Sequence, residues 1–317
     1  MNFIVLIIGF VLLIKGADIF VDGSSAIARK MGIPSVIVGL TIVSIGTSAP
    51  ELAVSLISSI GGNNDITVGN VLGSNIFNSL VVLGGTAIVM PIVFKKSTIK
   101  RDFLINTLVA ILVFFLTFGF MNKQEFGISR ISGVILLALC ISYIFILVRA
   151  AKRDNVKSET EEEEINVLKK VFAVIIGVAG IIIGGKLVVD SATNIAYSLG
   201  MSEKLVGLTI VAIGTSLPEL VTSIVAALKG ENEIALGNVL GSNIFNMLLI
   251  LGTSSAISPI TVGRELAIDF LFFIGITIFI GILIFGNKKE EKKISRLEGI
   301  ILVLLYVAYT IYIIMRN

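Results

Sequence analysis

An internal repeat is the feature of this sequence that most limits its fold. Gly39–Gly84 aligns without a gap with the segment 168 residues later, and 29 of the 46 positions are identical. Each copy contains a block Gly-Thr-Ser-x-Pro-Glu, which ends at Glu51 and Glu219. Each also contains a block of ten identical residues, which ends at Asn78 and Asn246. The repeat predicts that the two halves of the chain are copies of one structural unit.

Composition indicates that this unit lies in a membrane. The chain has 317 residues, of which 55% are hydrophobic and 15% charged, and its mean hydropathy is +1.01. Soluble domains carry about 25% charged residues. Ten apolar segments are long enough to cross about 30 Å of hydrocarbon. They lie at 2–22, 33–60, 66–91, 100–121, 129–149, 168–190, 203–228, 233–258, 264–286 and 297–315.

The ten segments divide into two sets of five. We therefore expect an all-α membrane protein with repeats at 1–150 and 168–317, joined by a linker at 151–167. Because five is an odd number, the second repeat enters the membrane from the opposite side, which makes it an inverted repeat. The linker contains four consecutive glutamates and is expected to be solvated. A regulatory ion site in the linker is the alternative interpretation.

The distribution of basic residues predicts the orientation of the helices. Eighteen of the 25 lysines and arginines fall in the loops after helices 1, 3, 5, 7 and 9, and five fall on the other side. Basic loops are cytoplasmic, so both termini should lie outside the cell membrane and the linker inside. The apolar N-terminus lacks a basic start and a clear cleavage site, so we expect a retained helix rather than a signal peptide.

Several chemistries are excluded by the residue types. The chain has no histidine, which excludes histidine zinc sites and Ser-His-Asp catalysis. Cys140 is the only cysteine, so neither an internal disulfide nor a cysteine metal cluster is available. We expect no enzymatic activity, no cofactor and no nucleic-acid partner. The oligomeric state is left open, and a monomer is compatible with the sequence.

The repeated blocks place polar groups where a membrane helix should be apolar. Pro50 and Pro218 lack an N–H group, so the second and seventh helices should be broken beside Glu51 and Glu219. A charged residue at this depth is costly and indicates function. Carboxylate, hydroxyl, amide and main-chain oxygens suit hard cations such as Ca²⁺, and Na⁺ would compete for them. The alternative is a polar contact between helices with both glutamates protonated.

Other polar residues are ambiguous. Ser55, Ser58, Ser59 and Thr222 either bind ions or pack between helices, as small hydroxyl residues commonly do. Asp22 and Asp190 are expected near the ends of helices rather than in an ion site.

The two blocks resemble the alpha repeats of the sodium/calcium exchangers, in the calcium/cation antiporter superfamily. The resemblance implies that Ca²⁺ is held by the carboxylates of Glu51 and Glu219 and by main-chain oxygens of Thr47 and Thr215. It implies that helices 1 and 6 slide as a gate across the other eight. It also implies sodium sites that share the glutamates, with Asn78 and Asn246 at the centre. The further sodium ligands would be Ser48, Ser74, Ser216, Ser242 and the carbonyls of Ser44 and Ala212.

The expected function is therefore an electrogenic Na⁺/Ca²⁺ antiporter that works by alternating access, with about three Na⁺ per Ca²⁺. Potassium-dependent relatives have aspartate where this chain has Asn246, so we expect potassium independence. Calcium/proton exchange is the nearest alternative, because a desolvated carboxylate can carry a proton near neutral pH. A calcium-permeable channel is a more distant one, since channels also use carboxylates and carbonyls.

Overall fold

A computed structural model describes residues 2–119, 126–153, 166–200, 212–286 and 289–316. This part of the chain is predominantly helical, and eight of its helices are long and apolar enough to cross a membrane. A bent pair, Ser35–Thr47 and Ala49–Ile60, is a ninth candidate span with 48° between its halves. The chain is thus a multi-pass membrane protein. Residues 203–211, the start of the seventh predicted segment, lie outside the described residues.

The described part of the first half contains eight helices and two π-helical turns. The π turns are Gly39–Val43, between α2 and α3, and Asn78–Val82, between α5 and α6. The helices are α1 (Asn2–Met31), α2 (Ser35–Val38), α3 (Ser44–Thr47), α4 (Ala49–Ile60), α5 (Asn64–Phe77), α6 (Leu83–Val89), α7 (Lys96–Phe118) and α8 (Arg130–Arg153).

The second half has the same order of elements where it is described. A π turn at Asn246–Ile250 follows α12. The helices are α9 (Val167–Ser198), α10 (Ala212–Gly214), α11 (Leu217–Leu228), α12 (Asn232–Phe245), α13 (Leu251–Ile257), α14 (Leu266–Phe285) and α15 (Arg296–Arg316).

Four short strands were not predicted from the sequence. β1 (Ile92–Lys95) pairs antiparallel with β4 (Glu291–Ile294), and β2 (Phe126–Ile128) pairs antiparallel with β3 (Ile260–Val262). Each pair joins a loop of one half to a loop of the other. Runs of three or four residues are too short to show the alternation by which a strand is recognised.

The first helix is longer than its apolar segment. It was predicted to end near residue 22 but continues to Met31, and Arg29 in the additional turns has an ion-pair partner. Lys229 Nζ lies 2.7 Å from Asp18 Oδ1 and 2.5 Å from Asp22 Oδ1. Arg29 Nη1 lies 3.0 Å from Glu231 Oε1. These ion pairs connect α1 to the segment after α11.

The helices α1 and α9 pack against each other through glycines. A Cβ atom at Gly16 would lie 2.7 Å from the Ile181 nitrogen, and one at Gly184 would lie 2.5 Å from the Leu13 nitrogen. Real side chains do not approach that closely, so only glycine allows these two backbones to meet. The close contact makes α1 and α9 a single packed unit.

Candidate functional site

The repeated Gly-Thr-Ser-x-Pro-Glu blocks form two equivalent breaks in the helices. Ser48 has φ −83° and ψ 9°, and Ser216 has φ −95° and ψ 7°, so each interrupts the helix between two regular parts. The prolines follow in the first turn of α4 and α11, where the missing N–H group costs little. Glu51 and Glu219 lie in the same first turns, where the positive end of the helix dipole stabilises a carboxylate.

Each glutamate is hydrogen-bonded by a serine from the other repeat. Ser216 Oγ donates to Glu51 Oε1 at 3.1 Å, and Ser48 Oγ donates to Glu219 Oε1 at 2.9 Å. Ser48 and Ser216 occupy N-cap positions but make no side-chain hydrogen bond to their own helices. Their hydroxyls therefore connect the two breaks instead of capping them. Both glutamates are fully buried.

Serines of the following helices complete the contacts. Ser74 Oγ on α5 donates to Glu51 Oε1 at 3.5 Å, and Ser242 Oγ on α12 donates to Glu219 Oε1 at 3.4 Å. Ser242 Oγ also lies 3.0 Å from Ser48 Oγ. In the described part of the chain, the second oxygen of each carboxylate, Oε2, has no hydrogen-bond partner. Each carboxylate thus keeps one buried oxygen for a ligand.

Two asparagines anchor the glutamates through the backbone. Asn70 Nδ2 donates to the Glu51 carbonyl at 3.2 Å and to Ser55 Oγ at 2.9 Å. The second repeat has the same contacts, at 3.2 Å and 2.9 Å. There Asn238 donates to the carbonyl of Glu219 and to Ser223 Oγ. These bonds fix the turn that carries each carboxylate.

The central asparagines begin the π turns. Asn78 starts one π turn and Asn246 starts another, and both side chains are fully buried. A π turn inserts one extra residue into a helix and is frequent at functional sites. Among the described residues, neither polar atom of the Asn78 side chain has a hydrogen-bond partner, nor does Asn246 Oδ1. A buried amide without a partner is costly, and a bound cation would satisfy its oxygen atom.

The oxygen atoms of the site are of the kinds that bind hard cations, and most of them belong to neutral groups. Two carboxylates are accompanied by neutral hydroxyl and amide oxygens. Within the described ranges, no group of three or more His, Cys, Asp or Glu side chains could hold a metal ion. An ion bound here takes at most two charged ligands and completes its shell with neutral oxygens, as calcium and sodium can.

The structure brings together six of the predicted ligands through the hydrogen bonds above: Glu51, Glu219, Ser48, Ser74, Ser216 and Ser242. Thr47 Oγ1 also crosses between the repeats and donates to Asn238 Oδ1 at 3.1 Å. Thr215 is half-buried, and its hydroxyl has no partner in the described ranges. The Ser44 carbonyl accepts hydrogen bonds from the Ser48 nitrogen and from Thr47 Oγ1. Ala212 begins the short helix α10.

Sequence reasoning did not single out two buried asparagines that lie beside the predicted ligands, Asn75 and Asn243. Both lie in the identical ten-residue blocks and both are buried. Asn75 Nδ2 donates to the Asn243 carbonyl at 3.2 Å, and Asn246 Nδ2 donates to Asn75 Oδ1 at 3.0 Å. The sequence did contain a sign of their importance, since all ten positions of the block are identical in the two repeats. A helix that needs one polar face would require identity on that face alone.

Comparisons with known proteins point to one family. The family model described as "Sodium/calcium exchanger protein" matches residues 1–149 and 169–315. The chain is 35% identical over 344 residues to the sodium/calcium exchanger MaX1 of Methanosarcina acetivorans, covering 98% of this chain and 97% of that protein. It is 39% identical over 263 residues to the inner membrane protein YrbG of Escherichia coli, covering 80% and 79%.

Solved structures give the same result. The sodium-calcium exchanger NCX_Mj, soaked with zero Na⁺ and Ca²⁺, superposes with a TM-score of 0.83 at 32% sequence identity. The match covers 97% of this chain and 97% of that one.

Proposed function

The chain belongs to the sodium/calcium exchanger family, and on that premise we propose that it exchanges Na⁺ for Ca²⁺ across the cell membrane by alternating access. The observation that carries the proposal is the crossed arrangement of the two repeats. Each buried glutamate accepts a hydrogen bond from the serine of the other repeat and keeps one oxygen without a partner among the described residues. A site made equally by two inverted halves can open to either side when one half moves against the other.

In this proposal the ions are substrates and the residues have separate roles. Calcium binds between the Glu51 and Glu219 carboxylates, with main-chain oxygens of Thr47 and Thr215. Two carboxylates balance the charge of one Ca²⁺, which offsets much of the cost of burying either partner alone. Sodium shares the glutamates and uses the four serines, the carbonyls of Ser44 and Ala212, and the central Asn78 and Asn246.

The proposed topology has ten spans in two inverted repeats, with helices 2 and 7 broken. Both termini are outside and the linker at 151–167 is cytoplasmic, as the basic residues predict. The bend of 48° beside Ser48 and the equivalent backbone at Ser216 support the two breaks. The tight glycine contact between α1 and α9 supports their movement as one gate.

The decisive experiment measures calcium uptake into sodium-loaded proteoliposomes while external sodium is varied at fixed pH. We expect uptake to need internal sodium and to fall as external sodium removes the gradient. Calcium uptake that is independent of sodium and depends on a pH gradient would favour calcium/proton exchange. The complete burial of both glutamates is the observation that supports calcium/proton exchange. Uptake without saturable counterflow would indicate a channel.

The proposed stoichiometry is about three Na⁺ per Ca²⁺. Two Na⁺ would balance two carboxylates, but four serines and two asparagines supply further neutral oxygens for a third. In sodium-loaded vesicles, exchange would then move one net positive charge outwards for each calcium taken up. An inside-positive potential should therefore speed calcium uptake, by a driving force of up to about 2.3 kcal/mol per 100 mV. Uptake that is insensitive to a clamped potential would mean electroneutral exchange.

Potassium independence is proposed from Asn246. An aspartate at this position would add a third negative charge to the site and favour another cation. The amide adds none, so sodium-driven calcium uptake should be the same with potassium or choline as the other cation. Uptake that requires potassium would contradict this role of Asn246.

A further inference from the structure

The orientation of the Asn246 side chain follows from a backbone carbonyl one helical turn away. The Asn243 carbonyl oxygen can only accept a hydrogen bond, and Asn75 Nδ2 donates to it at 3.2 Å. The amide of Asn75 is thereby oriented, so its oxygen Oδ1 is the acceptor for Asn246 Nδ2 at 3.0 Å. Reversing the Asn75 amide would bring two acceptors together at the Asn243 carbonyl and two donors together at Asn246.

These hydrogen bonds leave Asn246 with one side-chain atom that a cation can bind. Its nitrogen Nδ2 donates to Asn75, and its oxygen Oδ1 is buried without a partner among the described residues. A cation requires the oxygen and is repelled by the N–H groups. We propose that Asn75 is a positioning residue that holds Asn246 with its oxygen available to the transported ion. The inference rests on the proposed function and adds to it a residue that touches no ion.

The other repeat provides an internal comparison. Asn243 is the counterpart of Asn75, but its Nδ2 donates to Ser79 Oγ at 2.9 Å. The counterpart of Ser79 is Met247, which has no oxygen to accept such a bond. In the described part of the chain, Asn78 has no partner for either polar atom of its side chain. The amide is therefore held in one orientation by a hydrogen bond at Asn246, whereas no hydrogen bond among the described residues holds it at Asn78.

A positioned oxygen differs from a free one in the affinity that it gives. Before a free amide can bind an ion it must lose its rotational freedom, and it spends part of its time with the wrong atom presented. The bond from Asn246 to Asn75 removes that cost in advance. Asn75 should therefore affect ion affinity although its own polar atoms are occupied by Asn243 and Asn246.

The test compares Asn75→Leu with Asn243→Leu in the full chain in detergent. Leucine resembles asparagine in shape and makes no hydrogen bond. Sodium affinity is measured from the rise in melting temperature as sodium is added, because an ion that binds the folded state stabilises it. We expect Asn75→Leu to weaken sodium binding roughly 2- to 10-fold, which is the net worth of one ordinary hydrogen bond. Asn243→Leu should lower the melting temperature without sodium and leave the sodium affinity unchanged.

A second comparison separates positioning from a general loss of structure. Asn75→Leu is repeated in an Asn246→Ala background, which has no amide to position. We expect its effect on sodium affinity to disappear there, whereas a purely structural effect would persist and add. If leucine at position 75 prevents folding, Asn75→Ala replaces it in both comparisons.

Equal sodium affinities for the Asn75→Leu and Asn243→Leu variants would overturn the inference. So would an Asn75→Leu effect of the same size with and without the amide at position 246. A wild-type protein that shows no sodium-dependent stabilisation would instead overturn the proposed function. The two failures are therefore distinguishable.

Discussion

The two repeats have nearly the same sequence in the site and different surroundings. In the second repeat every residue of the block Gly237–Asn246 is buried, whereas Gly69, Asn70 and Gly73 of the first are half-exposed. Thr47 donates to Asn238 across the repeats. The hydroxyl of its counterpart, Thr215, has no partner among the described residues. Identical side chains thus provide identical chemistry, while the packing of each copy depends on which elements lie against it.

The close packing of the second copy is clearest at α12, which lies against the segment from α2 to α3. A Cβ atom at Gly237 would lie 2.6 Å from the Val36 carbonyl, and one at Gly241 would lie 2.6 Å from Ser44 Oγ. These elements are therefore in close contact. The equivalent neighbours of α5 would be residues 204–212, most of which lie outside the described residues.

The largest expected effect concerns the buried glutamate that each repeat contributes to the site. Glu51→Gln and Glu219→Gln should each abolish calcium transport, in spite of the different surroundings. Removal of one of two carboxylates leaves a divalent ion half-neutralised in a site of low dielectric. Calcium uptake into sodium-loaded proteoliposomes is the measurement, with size-exclusion chromatography to show that both variants fold. Near-normal uptake by either variant would mean that the two glutamates do not act as a pair.

The next largest expected effect is on stability, and it tests the close packing of α12. Gly237→Ala should destabilise the protein by about 1–3 kcal/mol, the usual range for an overpacked site. Its Cβ would meet main-chain atoms of Val36 and Leu40, which cannot turn away. Gly275 on α14 is exposed, and no described atom lies within 4 Å of a Cβ there. Gly275→Ala is the control and should destabilise the protein by no more than about 0.5 kcal/mol, the usual limit for surface substitutions. Melting temperatures in detergent check both, and equal changes would show that the close contact at Gly237 does not constrain this position.

The sequence singled out the residues of the candidate site better than it predicted their geometry. The repeat pointed to the carboxylates, because a duplicated polar block in an apolar segment has no simple structural explanation. The resemblance to the exchangers added the serines and central asparagines, and the role of all these residues as ligands stays a prediction. The crossing of the hydrogen bonds did not follow, since spacing along one helix contains no information about the other repeat. Nor did the roles of Asn75 and Asn243, whose bonds run between α5 and α12 and to a backbone carbonyl.

The fold was predicted to a similar extent. Apolar length was enough to find the eight or nine candidate spans among the described residues, but it did not give the end of α1. The last turns of α1 form ion pairs with Lys229 and Glu231, and these partners are about 200 residues away along the chain. The four strands depend in the same way on pairing between distant loops. Ten spans and two broken helices stay predictions.

A smaller effect separates the two crossing serines. Ser48 Oγ contacts both Glu219 Oε1 and Ser242 Oγ, whereas Ser216 Oγ contacts Glu51 Oε1. Both Ser48→Ala and Ser216→Ala remove a hydrogen bond to a carboxylate, and each should weaken sodium binding. Ser48→Ala should weaken it more, by a further factor of roughly 2 to 10, because Ser242 loses a neighbour as well. Sodium titration of calcium uptake is the measurement. Equal effects would show that the contact between Ser48 and Ser242 contributes nothing.

The smallest expected effect concerns ion pairs that one repeat has and the other lacks. Lys229 contacts Asp18 and Asp22 on α1. The repeat counterpart of Lys229 is Gly61, and that of Asp18 is Lys186. Burial favours the neutral amine of Lys229, but its two carboxylate partners more than offset this and raise its pKa. The group is therefore charged at neutral pH, and the attraction is present whenever α1 lies beside the end of α11.

If α1 moves with α9 as the gate, these contacts must break in the alternate state, so they bias the carrier towards the state described here. The side chains of Asp18 and Asp22 are 42% and 58% exposed and share the single ammonium group of Lys229, so we expect the two contacts together to be worth at most about 1 kcal/mol. Lys229→Gln should thus shift the balance between the two states by roughly fivefold at most, since 1.4 kcal/mol corresponds to tenfold. The apparent calcium affinities measured from the two sides of the membrane should then change in opposite directions.

High ionic strength should reproduce part of the shift in the wild-type protein, because salt screens exposed charges. It should have a smaller effect in the variant, where the Arg29–Glu231 pair still joins α1 to this segment. Lys186→Gln is the matched control: it removes a lysine from α9 that has no ion-pair partner among the described residues. An equal change in the control would mean that net charge, rather than the contact with α1, sets the balance.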